Sequence, residues 1–129
     1  MEEQKNFSWE EVVAMSENFP WEPSFNGVII TLNRKEPDGE LVLSDNEMDE
    51  VQFIVAKGPH VHTYNTCDTV MLDLEKMMEY VPNPSNQDEK IGRLKFTPVY
   101  DDDDNMFAII QDRQILCRRK QDQQLQSEI

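Results

Sequence analysis

The sequence predicts a small, mostly β protein preceded by a short helical arm. Three observations carry that expectation. Short apolar runs recur from Phe25 to Cys117, each bounded by turn-forming residues. The clearest helix signal precedes them, where Ser8 and Glu11 match a Ser-x-x-Glu capping box. Finally, 129 residues suffice for one core and hardly for two.

Residues 1–24 form the arm. The capping box starts a helix at Trp9, and Trp9, Val12, Val13 and Met15 give that helix an apolar face. Phe19-Pro20-Trp21-Glu22-Pro23 ends it. Such a face packs on its own domain, or else serves as a docking arm. Residues 25–118 are the β domain. Val28-Ile29-Ile30-Thr31-Leu32 is its first strand, and Asn33 to Gly39 is a loop with the turn signal Pro37-Asp38-Gly39. Leu41-Val42-Leu43 then stands isolated among Asp38, Glu40, Asp45, Glu47 and Asp49.

Residues 51–56 form the second strand, closed by Gly58-Pro59, and Val70-Met71-Leu72 forms the third. Residues 74–93 read as an irregular excursion: one helical turn near Leu74, then a break at Pro82-Asn83-Pro84-Ser85-Asn86. Residues 93–100 and 106–111 are two arms of a hairpin tipped by Asp101, Asp102, Asp103 and Asp104. Ile115-Leu116-Cys117 is a last strand, and 119–129 is a polar tail. Short strands with turns between them favour a small barrel or sandwich. Its expected core is Val28, Ile30, Ile54, Val70, Leu72, Ile109 and Leu116.

Charge narrows the partners. With 26 acidic and 12 basic residues the formal charge is −14. That repels nucleic-acid phosphates and anionic membranes, so neither is an expected partner. No apolar run approaches the roughly 18 residues of a membrane helix, and the acidic start MEEQKNFSWEE has no apolar stretch of a secretory signal. Cys67 and Cys117 form neither a disulfide framework nor a metal-ligand spacing, so the expected compartment is the reducing cytoplasm.

Catalytic patterns are scarce. His60-x-His62 offers two imidazoles beside a Gly-Pro turn, a spacing more typical of ordinary loop polarity than of a metal site. The four aspartates at 101–104 lack the alternation and central glycine of a calcium loop, and fit a solvated hairpin tip. Cys67 has no flanks of a nucleophile, and there is no phosphate-cradling glycine loop. The expectation is a non-enzyme with no cofactor and no metal.

Taken in order, the β motifs resemble the GroES co-chaperonin family. Phe25-Asn26-Gly27-Val28-Ile29-Ile30 is similar to the family's first strand. Gly39-Glu40-Leu41-Val42-Leu43 resembles its mobile-loop motif Gly-Gly-Ile-Val-Leu. Residues 52–59 resemble the strand and Val-Gly-x-Gly turn after that loop, and residues 67–72 the Gly-Asp-x-Val-Ile-Phe segment. Met106-Phe107-Ala108-Ile109-Ile110 and residues 112–117 resemble the closing pair of strands. The chain departs from the family in its 24-residue arm, its longer 74–93 segment, and Cys67 where the family has a turn glycine, as a divergent, phage-encoded member would.

The resemblance implies a GroES-like β-barrel with a mobile loop, a roof hairpin at Asp101–Asp104 and a short helical arm. It implies a homo-oligomeric sevenfold ring that caps a chaperonin cavity and assists ATP-dependent folding, with nucleotide handled by the chaperonin. Leu41, Val42 and Leu43 would bind the chaperonin. Val28 and Ile30 would meet Ile115 and Leu116 of the next subunit. Burying the triplet gains roughly 1.5–3 kcal/mol per residue, while ordering its loop costs about 1–2 kcal/mol per residue. One loop therefore binds weakly, and several on one ring bind through avidity. The alternative is a virion or connector component that reuses the barrel as a building block.

Overall fold

A computed structural model describes residues 6–35 and 48–120. The chain is mostly β, with one short α-helix among the described residues. Helix α1 (Trp9–Ser16) begins where the capping box places it: the Ser8 hydroxyl accepts from the Glu11 N–H, and the Glu11 carboxylate accepts from the Ser8 N–H. Eight strands follow: β1 (Gly27–Ile30), β2 (Val51–Lys57), β3 (Thr69–Leu72), β4 (Met78–Asn83), β5 (Asn86–Leu94), β6 (Thr97–Tyr100), β7 (Met106–Gln111) and β8 (Ile115–Arg118).

Six of them form one antiparallel sheet in the order β6-β7-β1-β2-β3-β8. Its end strands β6 and β8 do not pair with each other, so the expected closed barrel is not formed. Alternation along the strands sends side chains to two faces. Val28, Ile30, Ile54, Val70, Leu72, Ala108, Ile110 and Ile115 share one core with Val61 and Met77. Ile29, Val55 and Phe107 make a second core on the opposite side, with Phe7 and Val12 from the arm. Phe7 stacks on Phe107 at 5.5 Å between ring centroids, and Phe19 meets the same ring edge-on at 5.0 Å. The arm is thus the cover of a sheet face and not an appendage.

Three expectations need correction. Residues 78–94 are no irregular excursion: after a 3₁₀ turn at Leu74–Met77, β4 and β5 form a separate two-stranded hairpin. Val28 and Ile30 cannot offer a subunit edge, because β1 is hydrogen-bonded to β2 on one side and β7 on the other. Both residues are completely buried. Leu116 is not core: it is 57% exposed, and its neighbour Ile115 fills the core position, which places Ile115 inside the subunit and not on its surface. A strand's side chains alternate, so misplacing the inward residue by one exchanges inside for outside.

Candidate functional site

The triplet Leu41, Val42 and Leu43 lies outside the described residues. The two feet of its connection are described, and they are held together. An antiparallel bridge joins Arg34 to Met48, and the Asp49 N–H donates to the Asn33 carbonyl at 3.0 Å. Between the feet lies the wholly buried Gln52. Its Oε1 accepts from the Thr31 hydroxyl at 2.7 Å and the Asn33 N–H at 2.8 Å. Its Nε2 donates to the carbonyls of Asn33 at 2.8 Å and Asp49 at 2.7 Å. Every hydrogen-bonding position of the amide is in use, which makes its burial tolerable.

The arm joins the same foot. Asn33 Nδ2 donates to the Phe7 carbonyl and its Oδ1 accepts from the Phe7 N–H, each at 2.9 Å. Asn6 repeats the arrangement on the backbone of Arg34, again with both contacts at 2.9 Å. One signal of this network stands in the sequence. Gln52 is two residues before Ile54 and shares its side of the strand, so a polar residue occupies an inward position.

The four aspartates form the turn between β6 and β7. The Asp101 carboxylate accepts from the N–H groups of Asp103 and Asn105 and from the Asn105 side chain. Asp104 sits at φ 65°, the left-handed conformation that Asp tolerates better than most residues. The cluster therefore spends a carboxylate on turn geometry. His60 is also engaged locally: its ring meets Phe25 at 5.6 Å, and its N–H donates to the Phe25 carbonyl at 3.0 Å. Gly58 permits this close turn, since a β-carbon there would collide with the Phe25 carbonyl oxygen. Among the described residues no group of three His, Cys, Asp or Glu side chains converges to hold a metal ion.

Cys67 takes φ 76°, a left-handed conformation that a side chain rarely adopts. Around it, the Trp9 indole donates to its carbonyl at 2.9 Å, its N–H donates to Ile54, and the Ser16 hydroxyl lies 3.4 Å from its sulfur. Cys117 is an exposed free thiol on β8. Nearby, the Tyr64 phenol hydrogen-bonds the Ile115 carbonyl. Burial, then the negative charges of Asp112 and the Cys117 thiolate, push its pKa above the ordinary tyrosine value, against a smaller opposing effect of Arg118.

Comparison with family models, curated proteins and solved structures finds no match to the chain. No helix among the described residues is long and apolar enough to cross a membrane.

Proposed function

We propose that the chain is a co-chaperonin subunit: a non-enzymatic, cytoplasmic lid that closes a chaperonin-type cavity through Leu41, Val42 and Leu43. The observation that carries the reading is the clamp at the two described ends of their connection. Gln52, Asn33 and the Arg34–Met48 bridge bring both ends of an apolar-centred, acid-flanked connection to one point on the sheet. On this reading the triplet engages a groove on a partner, and the clamp at its two ends keeps that contact apart from the core. The resemblance of the motifs from Phe25 to Cys117 supports the same reading. All of its strand motifs fall on β1, β2, β3, β7 and β8 of one sheet. On this reading the subunit is GroES-like and forms a sevenfold ring, and the chaperonin alone handles nucleotide.

The test pairs thermal melting with binding to a nucleotide-loaded chaperonin, read by co-elution. Val42→Asp puts a charge into an apolar groove, which costs several kcal/mol per engaged subunit, and avidity multiplies the loss. Capping should vanish while the melting temperature holds. If Val42→Asp binds as well as the parent chain, the triplet is idle. A parent chain that assembles but never co-elutes with a chaperonin favours the virion or connector alternative.

A further inference from the structure

Two asparagines tie the arm to the 34–48 connection by the same arrangement used twice. Asn6 holds both backbone polar groups of Arg34, and Asn33 both those of Phe7, in four hydrogen bonds of 2.9 Å. Neither Asn6 nor Phe7 belongs to a strand, so side chains make this attachment and it is lost with them. Asn33 is also tied to the rest of the connection. Its N–H and its carbonyl both bond Gln52, and the carbonyl accepts in addition from the Asp49 N–H at the other foot.

Each side of this junction is anchored in a different core. Phe7 is buried against Phe107, with Met15 and Phe19 packed on the same cluster. Leu32, next to Asn33, and Met48, at the second foot, are buried in the main core. Burial of Phe7 and Val12 already supplies most of what holds the arm down. Hydrogen bonds at a partly exposed junction add little net stability, but they fix distance and direction. Their use here is therefore geometric: where the arm sits determines where the feet sit.

We propose that residues 6–19 are a strap that positions both feet of the 34–48 connection, with Asn6 and Asn33 as its positioning residues, and that seating of the arm and engagement of the connection by its partner strengthen each other. The coupling to a partner rests on the lid reading; the strap itself does not. Feet already held in place leave less to be ordered when a partner binds, which raises affinity. By linkage the effect is reciprocal, so a bound partner also holds the arm to its seat.

Asn6→Ala and Asn33→Ala cut the strap on its two halves and leave the atoms of every Gln52 contact in place. Amide hydrogen exchange of the full chain reads the feet. The Asp49 N–H bonds to neither side chain, yet it should exchange roughly fivefold faster in each variant, the opening expected when about one net hydrogen bond of restraint is lost. The Ile54 N–H, bonded to the Asp68 carbonyl, should keep its rate, and the melting temperature should hold. An unchanged Asp49 rate overturns the strap. So does an equal acceleration at Ile54, which would make the arm a support of the whole fold. With a nucleotide-loaded chaperonin, each variant should bind more weakly than the parent by more than that factor, since several subunits engage at once. Capping of the parent should slow exchange at the Phe7 N–H. Variants that bind as the parent does, or a Phe7 rate that capping leaves unchanged, overturn the coupling. A parent chain that never binds defeats the lid reading and the coupling with it, while the Asp49 rates still decide the strap.

Discussion

Gln52 shows how much a single neutral side chain can hold in place. Its amide serves two donors and two acceptors from both sides of the 34–48 connection, and water reaches none of it. Gln52→Glu keeps the shape but removes both donated hydrogen bonds and buries a charge. Leaving buried partners unsatisfied costs about 1–3 kcal/mol, and more where a charge is involved. The denaturation midpoint of Gln52→Glu should therefore fall clearly at neutral pH, and recover partly in acid as the carboxyl protonates. A midpoint equal to the parent's would show that the clamp is loose. Cys67 makes a different point at this scale. Its left-handed backbone is held by hydrogen bonds from Trp9 and to Ile54, contacts across the fold that the local sequence does not show.

Strands were the most legible elements, because β-branched runs between turn residues have few other outcomes. The first three, β7 and β8 all lie within a residue or two of where the sequence puts them. The hairpin of β4 and β5 was hidden for a physical reason. Pro82, Pro84 and the small polar residues between the strands look like breakers, but proline is tolerated on an edge strand, and β4 is one. Gly92 further disguises β5: it lacks a side chain because Met78 and Tyr80 from β4 occupy that space. At β8 the element was legible and its orientation was not, since a run of three apolar residues does not say which one faces inward. Ile115→Asp should accordingly prevent folding, because it places a carboxylate in the main core. Leu116→Asp should leave the melting temperature nearly unchanged. Thermal melts of the two variants decide the matter, and equal effects would refute the burial pattern of the strand.

At the scale of the whole molecule, acidity is the dominant property. A formal charge of −14 on 129 residues makes the folded state repel itself. Added salt screens that repulsion within about 10 Å at 0.1 M. The melting temperature should consequently rise from low ionic strength to physiological salt; a melt that is flat or falling would mean that local ion pairs outweigh the net charge. Ion pairs among the described residues are modest and lie at the surface with partly buried acids: Glu79 with Arg93 and Lys95, Asp73 with Lys76, and Asp68 with Arg118. Hydrogen bonds from Arg93 and then Lys95 hold the Glu79 carboxyl below its ordinary value. Whatever these contacts give the hairpin is present above the usual carboxylate range and is lost as pH falls through the lowered value.

Phe107 has a consequence for the order in which the chain is made. Phe7 and Phe19 both rest on its ring, and β1 is flanked by β7, which carries it. A ribosome releases the arm first and its seat some hundred residues later. Until then the helix meets only β1, β2 and the Cys67 turn, Phe7 and Phe19 lack their shared ring, and β1 lacks one of its two neighbours. Synthesis therefore yields little stable structure before the final strands emerge, and nascent chains that stop short of β7 should remain open to protease. Because most of the closure waits for contacts far apart in sequence, folding belongs with the slow, millisecond-to-second class of β proteins. Strand β7, as it leaves the ribosome, supplies the seat that Phe7 and Phe19 occupy.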